Sequence, residues 1–320
     1  MNTRVRRTLV AGLLLLIAVP AVAFIPQRRD INGTPYDLKW STSSGFPIEW
    51  QMNPTVGANV TGDRELVAVF QAAFQAWDDI STAMVSFTQG PNTAGGDKPA
   101  FDQVNMITTN LTPSEFGSGA IGLAVNYAFS ETGMDTFGRN IEFPGQILEA
   151  DVMFNPETSF STSLVTPSGR IDLQAVATHE VGHLLGLDHS NLLSSTMYPS
   201  VLSGVSHPRT TEMDDAVGIS TLYPTSAFTS TTGTLAGTVR TTASDPIFGA
   251  LVVALDSSGR ATVSTVTKPN GQYAIPGLPP GSYTIYAEPM NLPFQPANAF
   301  SLADSYPGSV VNTNFTVRYH

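Results

Sequence analysis

The chain has 320 residues with 15 basic and 26 acidic side chains, a formal net charge of −11, and no cysteine. That excludes disulfide staples, thiol nucleophiles and cysteine-ligated metals, and the acidity argues against nucleic acid or anionic lipid as partner. At 42% apolar residues there is material for real cores, the length suits about two domains, and 27 glycines with 23 prolines suit a turn-rich chain of short strands.

Arg4, Arg6 and Arg7 precede a mostly apolar run from Leu9 to Val19, broken by Pro20 and followed by Ala21-Val22-Ala23. A positive start, a short apolar stretch and a small-x-small tripeptide read as a secretory signal over 1–23. The run is too short to remain as a membrane-spanning helix, and no later stretch is apolar enough to be one. An exported chain without a transmembrane segment is expected, secreted or held in the periplasm or at the cell surface.

From Leu66, apolar residues at Val69, Phe70, Ala73, Trp77 and Ile80 trace one helical face. Thr61 stands where the cap belongs, with Asp63 and Glu65 in the first turn. Alternating runs around 48–52, 104–108, 122–129 and 147–154 predict strands. Glu149, Asp151, Asn155 and Glu157 put oxygen donors close together in sequence, dense enough for a calcium, although a solvated acidic strand accounts for them equally. Asp172 caps a helix that runs to Leu184 and stops at Gly186. Thr211-Glu212-Met213-Asp214 has the capping-box pattern for a last helix toward Leu222, and Pro224 forbids its continuation.

Residues 179–189 read His-Glu-Val-Gly-His-Leu-Leu-Gly-Leu-Asp-His. On a helix, His179 and His183 leave the same face one turn apart, a separation suited to two corners of a tetrahedral metal. Gly186 permits a sharp turn that can return His189 as a third nitrogen ligand. Three neutral imidazoles with one exchangeable position are what a catalytic zinc requires, and Glu180 is placed to act on a water there as general base. The five fixed residues should coincide by chance on the order of once in 10⁵–10⁶ chains of this length and composition, so an accidental run of histidines is a poor account.

The pattern resembles the signature of the metzincin clan of zinc peptidases. Ser190 after the third histidine, together with Ser194-Ser195-Thr196-Met197-Tyr198-Pro199, is similar to the matrixin branch, in which a methionine-bearing turn lies beneath the metal. The segment Asp214 to Ile219, closed by Leu222-Tyr223, resembles the final helix of that branch, and 63–82 its first helix. The resemblance covers about 45–224. It implies a zinc endopeptidase acting on proteins or peptides, with His179, His183 and His189 as ligands, Glu180 as base and Met197 as apolar floor. The fold it implies is α+β, a twisted mixed sheet with about three helices. It further implies an extended substrate along an edge strand containing Leu123 and Ala124, and a pocket walled near Tyr198 and Pro199. With no histidine before His179 and no cysteine, neither a second histidine-bound zinc nor a thiolate latency switch is expected. His207 and His320 are expected to face solvent, and the residues between the signal and the first strand are few for a prodomain.

The uncharged run Thr225–Thr232 reads as a linker, so 24–224 forms one domain and 233–320 another. In the latter, 235–240, 250–255, 262–267, 283–287 and 314–319 are strand candidates, and Pro269-Asn270-Gly271 signals a hairpin. Residues 271–283 resemble carboxypeptidase regulatory-like modules, small all-β sandwiches of the transthyretin type. No titratable cluster lies there. A metal-binding scaffold of weak activity that adheres through this sandwich is the alternative to an enzyme, Glu180 being the feature against it. Calcium, the natural substrate and the oligomeric state stay open at this point.

Overall fold

A long, almost wholly buried strand sets the architecture of the N-terminal domain. The computed structural model describes residues 26–93, 98–117, 119–290, 306, 308–312 and 314–320; the expected signal at 1–23 lies outside them. Strands β1 (Ile48–Met52), β2 (Phe87–Gln89), β3 (Asn105–Thr108), β4 (Gly122–Phe129) and β5 (Gln146–Phe154) form one sheet in the order β2-β1-β3-β5-β4. All neighbours are parallel except β4, which runs antiparallel to β5 and forms the edge. Eight of the nine β5 residues are buried, as befits a strand covered on both faces.

Helices α1 (Leu66–Asp78) and α2 (Leu173–Leu184) pack against each other and the sheet. The expected stripe is the buried face of α1, from Leu66 to Trp77. Phe70 stacks on Phe154 of β5, and the Trp77 indole donates to Thr178 O at 2.8 Å, tying α1 to α2. The helix starts at Leu66, with Glu65 as its N-cap rather than Thr61, because Thr61 is held extended by pairing with Ser161. α3 (Met213–Leu222) closes the domain. Its capping box is Glu212 with Asp215, one residue later than Thr211 with Asp214. Thr211 Oγ1 instead donates to Ala76 O, and the Asp214 carboxylate is engaged elsewhere. The second domain thus follows a mixed sheet with three principal helices.

Residues 226–231 of the expected linker form a short helix with Phe228 buried. The C-terminal domain is all-β. β6 (Gly233–Thr238) pairs with β9 (Gln272–Leu278), and β7 (Ala250–Leu255), β8 (Ala261–Val266), β10 (Thr284–Pro289) and β11 (Arg318–Tyr319) form a second sheet in the order β8-β7-β10-β11. The Pro269-Asn270-Gly271 turn exists, with Gly271 at φ +77°, but it does not close a hairpin. β8 before it and β9 after it belong to different sheets, so the turn carries the chain across the sandwich. β9 escapes pattern reading because Pro276 and a positive-φ Gly277 (+74°) sit in a register irregularity. Of 314–319, only Arg318 and Tyr319 pair.

Candidate active site

Helix α2 delivers the first two histidines and Gly186 the third. Asp172 Oδ1 accepts from Ala175 N at 2.8 Å, fixing the start of the helix. At its end, Leu187 N donates to Gly182 O at 3.0 Å, and Gly186 takes φ +93° with its Cα against Leu38 O, where a Cβ would collide. Only glycine meets both demands there. The last carbonyls are satisfied by two aromatic donors, Trp40 Nε1 to Leu184 O and Tyr223 Oη to Leu185 O. The chain then returns His189 beside the helix.

Ligand nitrogens of His179, His183 and His189 all lie within 4.8 Å of one another, the sole such grouping of three or more His, Asp or Glu among the described residues. His183 Nε2 and His189 Nε2 are 3.3 Å apart. His179 Nδ1 donates to Thr196 O and His183 Nδ1 to Leu187 O, each at 2.7 Å. A carbonyl can only accept, so both rings carry the proton on Nδ1 and leave Nε2 free for a metal. Burial holds all three imidazoles down at about 3, and each ring disfavours charge on the next. Three neutral, convergent nitrogen donors fit zinc, and the residues named from the sequence come together here.

Glu180 is buried, which pushes its carboxyl up to about 8 against the pull of the Ala124 N–H it accepts. It faces edge strand β4, where Gly122 is so close that a Cβ would strike its Oε1 and stand 2.8 Å from both Cγ and Cδ. Met197 is fully buried beneath the helix. A Cβ on Gly182 would meet Met197 Sδ and lie 2.7 Å from Trp77 Cζ2. Glycine at the fourth position of the motif is therefore a packing requirement.

A cleft of about 550 Å³ runs over these residues, bounded by Gly122, Leu123 and Ala124 on one side and Tyr198, Pro199 and Val201 on the other. The Leu123 side chain packs, partly buried, against the cluster of Leu111, Phe116 and Met153. Val176 and Pro208 add apolar surface. A larger cleft of about 850 Å³ in the sandwich contains Arg240, Arg318 and His320 but, among the described residues, no cluster of metal-ligating groups. The remaining histidines, His207 and His320, are exposed as expected.

Several supporting residues had no local signal. Gln27 lines the cleft and its N–H donates to Gly186 O, while Asn126 Nδ2 bridges His183 O and Gln27 Oε1. Arg209 clamps the loop after Tyr198, donating through Nε to Asp172 Oδ1 at 2.9 Å, through Nη2 to Asp172 Oδ2, and to the carbonyls of Leu164 and Ser163. Glu149 and Asp151 do not converge with Asn155 and Glu157. Their carboxylates accept from the amides of Asp102 and Gln103, and of Ala100 and Met106. Asn155 instead binds Ala120 O and Glu157 N.

The sequence profile of the Matrixin family matches residues 39–224, and that of the carboxypeptidase regulatory-like domain matches 234–316. Among curated proteins, Metalloendoproteinase 1-MMP of Arabidopsis thaliana is 49% identical over 209 residues, 60% of this chain and 45% of the relative. Metalloendoproteinase 2-MMP of the same plant is 30% identical over 160 residues, covering 50% and 37%. The hatching enzyme of Paracentrotus lividus is 30% identical over 212 residues, covering 63% and 30%. The chain spans less than half the length of each. With a three-histidine centre on a mixed sheet and a family match over more than half its length, the chain belongs to the matrixin family, followed by a carboxypeptidase regulatory-like domain.

Proposed function

We propose that the protein is an exported, zinc-dependent endopeptidase that cleaves proteins or peptides. The observation that carries this is the convergence of three neutral imidazole nitrogens beside a buried carboxylate, in a cleft bordered by a free sheet edge. His179, His183 and His189 would hold zinc, which supplies a Lewis acid and a positive charge where negative charge develops on the scissile carbonyl. Glu180, as general base, takes a proton on its carboxylate from the attacking water and returns it to the leaving amine. The positive charge of zinc would offset the effect of burial and favour the carboxylate form of Glu180 that accepts the proton, and its burial keeps bulk water from competing. Thr196 O and Leu187 O orient the two helix imidazoles, and Met197 forms an apolar support under them.

The substrate would lie extended along β4, pairing with its backbone at Leu123 and Ala124, a form of strand addition that reads main chain before side chains. The apolar wall of Val176, Tyr198, Pro199 and Val201 favours an apolar residue after the cleaved bond. The amide bonds to Glu149 and Asp151 support reading them as a latch on the loop before β3 rather than as a calcium cage. Export rests on residues 1–23, and no helix among the described residues is long and apolar enough to cross a membrane.

The test is a cleavage profile on a peptide library with the zinc-loaded full chain, with and without chelator, beside Glu180→Ala. Chelator-sensitive endoproteolysis that the variant lacks is the expected result. Equal cleavage by both proteins would overturn the mechanism. Sandwich-mediated binding with no turnover by wild type would favour the adhesive alternative.

A further inference from the structure

The two domains meet on the segment that carries the third histidine. Asp214 and Asp215 open α3, both are buried, and they divide residues 190–197 between them. Asp215 accepts from Ser195 Oγ, from Thr196 N at 2.9 Å and from Met197 N at 3.1 Å. Asp214 accepts from Ser190 Oγ on one oxygen. Its other oxygen accepts from Ser264 N at 2.7 Å and Ser264 Oγ at 3.3 Å, and Ser264 belongs to β8 of the sandwich.

Apolar contacts follow the same route. Leu192 is buried in one cluster with Phe248, Leu251, Val253 and Met290 of the sandwich, and Tyr198, a wall of the substrate cleft, packs on that cluster. From α3, Val217 is buried among Val252, Ala254, Val263, Ile275 and Leu278. The loop that brings His189 to the metal and Tyr198 to the cleft is therefore anchored on one side by α3 and on the other by the second domain. A tethered spacer would leave Leu192 and Val217 wet, and would leave one oxygen of a buried carboxylate without its two donors.

We propose that the sandwich is a positioning element of the metal centre, holding residues 190–198 through the Ser264–Asp214–Ser190 chain and the Leu192–Phe248 cluster. The inference rests on reading residues 179–189 as a peptidase centre, and it adds a role for the second domain. Phe248 and Ser264 are positioning residues, since neither reaches the cleft.

The test uses the full chain. Phe248→Ala is compared with Ile247→Ala, whose side chain is also buried in the sandwich but lines the sandwich's own cleft. Amide hydrogen exchange over 190–198 is measured in the metal-free protein, and zinc release to a chelator in the loaded one. The expected result is exchange and zinc release both faster by at least about tenfold in Phe248→Ala, with Ile247→Ala at wild-type values. Leu251→Ala, a smaller truncation in the same cluster, gives the same readouts with a smaller effect and serves if the first variant does not fold. Wild-type exchange and zinc release in the cluster variants would overturn the proposal. Failure of wild type to cleave any peptide would overturn the peptidase reading alone, because neither readout needs turnover.

Discussion

Gly122 is the most economical place to perturb Glu180 without touching it. A Cβ there would lie 2.8 Å from Glu180 Cγ and Cδ, against 3.4 Å where ordinary contact begins, and closer still to Oε1. The carboxylate must therefore retreat by more than half an ångström. Misplacing a reacting group by about 1 Å can cost roughly 10²-fold, and complete loss of a general base about 10²–10⁴-fold. Gly122→Ala should accordingly lower kcat by about ten- to a hundredfold, about 1.4–2.7 kcal/mol, while zinc affinity stays at the wild-type value. Steady-state kinetics with a quenched peptide reads the first quantity and chelator competition the second. A double-mutant cycle isolates the cause. In a Glu180→Ala background the clash partner is gone, so Gly122→Ala should be neutral or slightly stabilising to heat, whereas with Glu180 present overpacking costs about 1–3 kcal/mol. Full activity in Gly122→Ala, or the same stability change in both backgrounds, would show that the Gly122–Glu180 approach does not position the carboxylate.

Arg209→Ala leaves the buried Asp172 carboxylate without its cation and two loop carbonyls without donors, so denaturant unfolding should show a loss of about 3–5 kcal/mol. Lysine at 209 should recover only part of it, since one ammonium cannot reproduce the fork. Burial, reinforced by Glu149 and Asp102, raises Asp151 to about 7, whereas the unfolded value is about 3.8. The folded state then keeps a proton that the unfolded chain releases, so stability falls as pH climbs from about 4 to 7 and levels off above, by on the order of 4 kcal/mol for this residue. Asp151→Asn should flatten that slope in a melting series, and parallel slopes would reject the assignment. Metal should bind the folded state selectively: zinc at about 1,000 times its Kd adds about 4 kcal/mol, seen as a concentration-dependent Tm that chelator reverses. A Tm indifferent to zinc would contradict this.

The centre was legible because its parts are local. A cap at Asp172, histidines four apart and a glycine bend lie within 18 residues, and backbone geometry alone brings the rings together. Strand β4 could be picked out by its alternation, and its edge position agrees with the expected substrate strand. What stayed hidden depends on contacts between distant segments. The Gly122–Glu180 approach spans 58 positions, the Gly182–Met197–Trp77 wedge over 100, and Asp214 looks like a helix cap until Ser190 and Ser264 are seen on it. The Asn-Gly turn misled for the same reason. Its chemistry fixes a turn, while the choice of sheet for the strands on either side is made by packing.

The most direct measurement is the metal content of the natively purified protein, with zinc affinity compared between wild type and His189→Ala. One zinc per chain is expected in wild type, with an affinity lowered by orders of magnitude when the third imidazole is removed. A metal-free native protein, or unchanged affinity in the variant, would contradict it.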